Sequence, residues 1–97
     1  MVYPADQFVF TGVILKEANG YTSLCLELDV ASQGNTIQKA KVALLEAVTL
    51  YLETAFENNL PYLRPVPPDA NPLLQPSAKD LVETFRLKID VSVHAHV

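Results

Sequence analysis

Ser32-Gln33-Gly34-Asn35-Thr36 is the point at which the chain changes its hydrophobic period. Upstream, apolar residues recur about every second position. Downstream they recur every third or fourth. Gly34 supplies a permissive turn. Asn35 is the expected helix N-cap, with Gln38 three residues later to complete a capping box. No Gly or Pro interrupts Thr36 to Asn58. That span predicts a helix about 35 Å long. At 100° per residue, Ile37, Ala40, Leu44, Val48, Tyr51, Leu52 and Ala55 share one face. Lys39, Glu46, Glu53 and Glu57 form a narrow opposite stripe. Val42, Ala43 and Leu50 lie beside that stripe. Packing on one sheet would not need them, so a second partner is expected, either another subunit or the chain's own tail.

Upstream of the turn, Phe8 to Lys16 (FVFTGVILK) is β-branched and aromatic on both alternation faces, as in a central strand. Glu17-Ala18-Asn19-Gly20 carries the Asn-Gly hairpin signal. Tyr21 to Leu28 alternates, with Leu24, Leu26 and Leu28 on one face and Tyr21, Ser23, Cys25 and Glu27 on the other. Val30 to Gln33 is a third short strand.

Downstream of the helix, six of the sixteen residues from Pro61 to Pro76 are proline. Such a segment can neither continue a helix nor enter a central strand, and is expected to be extended, in part polyproline-like. Ser77 is placed to cap a short helix from Ala78 to Glu83, with Asp80 in its first turn. From Phe85 to Val97 apolar and polar residues alternate strictly, which predicts a long half-buried strand. Its length calls for something to pair with, a partner chain's strand being the natural candidate, since an exposed edge invites aggregation.

The fold class read from these elements is α+β. A three-stranded antiparallel meander and one long helix packed on it make a core over residues 1–60. A proline-rich linker occupies 61–76, and a short helix and C-terminal strand 77–97. The whole is expected to be one domain of 97 residues and 10.7 kDa.

Composition narrows the function. Hydrophobic residues are 49% and charged residues 19% of the chain, which suits a globular protein. No apolar run is long enough to span a membrane. Met1 to Asp6 lacks the features of a secretory signal, so the cytoplasm is the expected compartment. The single cysteine, Cys25, excludes an internal disulfide. A net charge of −4 argues against direct nucleic-acid binding.

Few residues suggest chemistry. Asp6, Glu27 and Asp29 would need to converge to hold a hydrolytic metal, whereas strand ends facing water explain each. His94 and His96 share a strand face and could ligate zinc or nickel with a third ligand from a partner; a solvated polar face explains them too. Cys25 with a histidine and Asp90 lacks any nucleophile signature. Ser32 to Thr36 opens a helix but has one glycine and no lysine, unlike a phosphate loop. The proline zone reads as a connector rather than a ligand for an aromatic groove. The expectation is a binding protein with no catalytic residues, cofactor or metal.

One larger pattern remains. Gly20-Tyr21, then Cys25-Leu26-Glu27-Leu28-Asp29-Val30-Ala31-Ser32-Gln33-Gly34-Asn35-Thr36, then a helix with Ala40, Leu44-Leu45-Glu46-Ala47 and Leu50-Tyr51-Leu52-Glu53 resembles the HicB family of antitoxins. The resemblance covers about residues 8 to 58. It implies a partial RNase H-like fold: a meander, a long helix and a further strand. It also implies binding to HicA, a small mRNA-cleaving toxin whose RNA-facing surface and active-site histidine the antitoxin would cover. A basic toxin would suit an acidic chain. The motif residues Gly20, Tyr21, Ser32, Gln33, Gly34, Asn35, Thr36 and Tyr51 carry the resemblance and read as mainly structural. No helix-turn-helix or ribbon–helix–helix module follows the last strand, so promoter binding is not expected. A homo-oligomer is expected, with Val42, Leu50, Ile89, Val91 and Val93 as its candidate surface. The alternative is an orphan HicB-fold oligomer that binds another protein or a small ligand.

Overall fold

The structure is a computed structural model that describes residues 6–75 and 80–91. Its order is β1 (Asp6–Glu17), β2 (Gly20–Cys25), β3 (Val30–Gly34), α1 (Ile37–Glu57) and β4 (Leu81–Val91). Between α1 and β4 run two short 3-10 turns, Pro68–Ala70 and Pro72–Leu74. The four strands form one antiparallel sheet in the order β3-β2-β1-β4. The fold is α+β, as the change of period indicates.

Alternation decides which side of the sheet α1 covers. Phe10 from β1, Cys25 from β2, and Leu87 and Ile89 from β4 pack with Leu44, Val48 and Leu52 of α1 and with Leu28. The helix buries Ala40, Leu44, Val48, Leu52 and Ala55, all on the predicted face. Phe8, Phe56 and Tyr62 close one end of this core, with ring centroids 5.4–5.8 Å apart. The opposite side of the sheet has a smaller core of Val13, Leu26 and Val66, flanked by Leu24 and Leu81. Val66 comes from the proline-rich linker. That segment is held by two backbone bonds: Arg64 N–H donates to the Glu27 carbonyl (3.0 Å) and Val66 N–H to the Leu26 carbonyl (2.8 Å).

Four local expectations need correction. First, β2 stops at Cys25 instead of Leu28. Leu26 to Asp29 form a turn in which Asp29 N–H donates to the Cys25 carbonyl (2.9 Å). Asp29 adopts φ 53°, a left-handed conformation that Asp tolerates. The turn swings Leu28 to the helix side, away from Leu24 and Leu26. Second, the helix N-cap is Thr36 rather than Asn35: the Thr36 hydroxyl accepts from Lys39 N–H (3.1 Å). Gly34 explains the offset, because it packs directly on the first turn. A Cβ there would lie 2.5 Å from the Ala40 nitrogen.

Third, Leu81 to Glu83 belong to β4, not to a helix; Ala78 and Lys79 lie outside the described residues. Ile14 pairs with Glu83 but Leu15 pairs with Leu81, so Val82 is an extra residue. This bulge reverses the alternation phase and puts Leu81 on the opposite side of the sheet from Phe85. Fourth, Ile89 is 2% exposed inside the chain's own core, so its side chain offers no oligomer surface. The side chains of Asp6 and Val91, and all of Val93, His94 and His96, lie outside the described residues.

Candidate protein-binding surface

Two clefts take six of the motif residues between them, and Ser32 and Thr36 line neither. Gly20, Tyr21, Gln33, Gly34 and Asn35 line a shallow cleft of about 530 Å³ with the Glu17–Asn19 turn and Thr22. Register brings them together: Tyr21 pairs with Gly34, Thr22 with Gln33 and Ser23 with Ser32. Thr36 follows as the helix cap. Each of these residues has a role in building the sheet end and its junction with α1. Tyr51 lies fifteen residues beyond Thr36, about 22 Å along the helix.

Tyr51 lines the second cleft, a groove of about 630 Å³ between α1 and the segment that leaves it. Helix α1 ends at the Asn58 C-cap, and Asn59 at φ 53° turns the chain back. Leu60 N–H closes the turn on the Ala55 carbonyl (2.8 Å). Pro61 prevents any return to helix. The Tyr51 hydroxyl donates to the Tyr62 carbonyl (2.8 Å) and fixes the strap beside the helix. Arg64 anchors its far end. Its guanidinium donates to the Leu28 carbonyl (3.3 Å) and the Asp29 carbonyl (3.2 Å) and lies 5.4 Å from the Tyr51 ring centroid.

The groove is therefore walled by fixed backbone. Its apolar side chains nonetheless face water. Leu50 is 64% exposed, Leu63 60% and Leu60 55%. An exposed leucine alone means little; three on the walls of one groove are a recognition feature. Val42 is exposed as well, on the helix's other flank. The expected second partner for the helix is thus in part the chain's own Leu60–Arg64 strap, and Leu50 and Val42 remain uncovered.

The charge on the helix side of the groove has one sign. Glu46, Glu53 and Glu57 lie within one or two turns of Leu50 and are exposed. No Lys, Arg or His occurs between Lys41 and Arg64. Arg64, exposed on the strap side, is held by two carbonyls and keeps its positive charge. The sequence singled out Val42, Leu50 and Tyr51, but missed Leu60, Leu63 and Arg64. Leucines set among prolines, in a segment that can be neither helix nor central strand, were the available signal.

Among the described residues, those weighed for chemistry are not assembled. The Glu27 carboxylate accepts from Thr11 N–H (2.8 Å) and from the Thr11 hydroxyl (2.9 Å), which ties the Leu26–Asp29 turn to β1. Asp29 is exposed. Cys25 is fully buried, opposite Gly12 of β1, whereas Asp90 is exposed and opposite Gln7. Burial pushes the Cys25 thiol up to about 11, and the Glu27 carboxylate adds to the effect. A catalytic thiolate needs the reverse. Among the described residues, no three His, Cys, Asp or Glu side chains could hold a metal ion. No helix among them is long and apolar enough to cross a membrane. The buried Ser23 hydroxyl has no hydrogen-bond partner there, and Ser23 lines neither cleft.

Comparisons of the chain with family models, with curated proteins and with solved structures found no match. The fold and surface define an α+β protein with an apolar, acid-rimmed groove.

Proposed function

We propose that the chain is a non-enzymatic, HicB-like protein of antitoxin type. It would act in the cytoplasm by binding a small, basic, HicA-like mRNA-cleaving toxin and covering its RNA-facing surface. The observation that carries this reading is the surface of α1: exposed leucine beside three glutamates, with no cation from Val42 to Leu63. Such a surface attracts a basic protein and speeds its encounter. The order of elements supports the family reading, because three antiparallel strands, a long helix and a further strand are what the resemblance implies.

The test is recovery of the tagged chain from its own cells. A small basic protein in fixed ratio, whose RNase activity disappears on binding, supports the antitoxin reading. Recovery of the chain alone overturns it.

One observation favours the alternative of an orphan HicB-fold oligomer binding another protein or ligand. Among the described residues β4 is an edge strand of 11 residues, and an edge of that length is a template for a second copy. Sedimentation decides: a monomer at tens of micromolar contradicts the oligomer.

A further inference from the structure

Two occupants suit an apolar groove on a small protein, a second copy of the chain or a different partner. The charge around this groove separates them. In an antiparallel pairing of two α1 helices about Leu50, Glu46, Glu53 and Glu57 of both copies would enter one interface. That is six carboxylates. The nearest cations in the sequence are Lys41 and Arg64. Lys41 is paired with Glu83 and stacked 5.0 Å from the Phe85 centroid. Arg64 is held by the Leu28 and Asp29 carbonyls. Lys41 is already paired, and one Arg64 from each copy, exposed beside the groove, sets two guanidiniums against six carboxylates; the like charges left in excess suppress pairing.

We infer that the groove between α1 and the Leu60–Arg64 strap receives an amphipathic helix of a partner protein, its apolar face on Leu50, Leu60 and Leu63 and its lysines or arginines toward Glu46, Glu53 and Glu57. The groove's helix wall runs from Ala47 to Ala55, about 12 Å or two turns. That length takes two or three apolar anchors at i, i+3 or i+4, and i+7. The walls need no rearrangement, since the Tyr51–Tyr62 and Arg64 bonds already fix the strap. A preformed groove reduces the ordering cost of binding. This inference names the docking site for the protein-binding function above and rests on that reading.

The experiment uses a synthetic leucine–lysine helix of about 18 residues, followed by amide chemical shifts and fluorescence anisotropy. Two control peptides accompany it, a leucine–glutamate helix of the same pattern and a scramble of the leucine–lysine sequence that breaks the apolar face. The leucine–lysine helix is expected to bind and to shift the amides of Ala47 to Ala55 and Leu60 to Arg64. The controls are expected to bind at least tenfold more weakly. Leu50→Gln with Leu63→Gln removes apolar surface and leaves every charge in place; it should weaken binding at least tenfold with an unchanged thermal midpoint. Glu46→Gln with Glu53→Gln should weaken it and flatten its salt dependence.

No binding overturns the inference. So does equal binding by either control peptide, or full affinity in the Leu50/Leu63 variant. The antitoxin reading fails separately. If a basic toxin copurifies and the Leu50/Leu63 variant still neutralises it, the groove is wrong and the function stands. If the peptide binds the groove but no such toxin exists, the groove stands and the antitoxin role falls.

Discussion

Leu44 and Leu50 lie on one helix and have opposite fates. Leu44 is fully buried against the sheet, whereas Leu50 is 64% exposed beside three glutamates. The inner stripe follows the sheet: Leu44, Val48 and Leu52 pack with strand residues, and their spacing is set by the helix period. The outer flank follows no such constraint. Its leucines are joined by Leu60 and Leu63 from a strap that the fold holds in place. The inner stripe specifies the structure, and the outer flank is available for recognition.

Substitutions can sharpen this contrast. Leu44→Ala leaves a cavity in the main core and should cost about 2–5 kcal/mol, read by urea denaturation. A cost below about 1 kcal/mol would mean that the helix is not anchored as described. Gly34→Ala should cost about 1–3 kcal/mol, because its Cβ would press on the backbone of Lys39 and Ala40 and the helix must shift. Wild-type stability in that variant would contradict the close junction.

Cys25 tests the inner side by pH. Its thiol is raised from the ordinary 9.0 to about 11 by burial. Folding therefore holds the proton more tightly than the unfolded chain does. The contribution to stability is complete below pH 9 and is lost as pH rises toward 11. At neutral pH the native thiolate is about a hundredfold scarcer than in the unfolded chain. Thiol-reagent labelling should be slow in the native protein and fast in denaturant; fast native labelling would place Cys25 at the surface.

Thr36→Ala should cost about 1 kcal/mol and Asn35→Ala much less. The reverse ranking would restore Asn35 as the cap. Leu50→Gln completes the series, with a change in stability within about 0.5 kcal/mol. A large loss there would make the outer flank structural and remove its separate role.

Much of this architecture was legible in the sequence because periodicity reports burial. The Asn19-Gly20 hairpin, the meander and the helix face all follow from local spacing. What was lost came from tertiary events. The bulge at Val82 shifts phase by one residue, so Leu81 to Glu83 read as a helix start. The turn at Asp29 moves Leu28 across the sheet, so one alternating run serves two cores. Thr36 replaces Asn35 as cap because Gly34 sits on the helix. The groove was half legible. Leu50 stood out as an apolar residue without a partner, as did Val42 on the other flank. Leu60, Leu63 and Arg64 did not, since only the hydrogen bonds of the folded strap bring them beside the helix.

The most direct measurement compares two tagged proteins recovered from the chain's own cells, the wild type and the Leu50→Gln/Leu63→Gln variant. The account predicts a small basic protein in fixed ratio on the wild type, silenced as an RNase while bound, and its loss from a variant that remains folded. Recovery of the wild-type chain alone would contradict it, as would a partner that the variant retains in full.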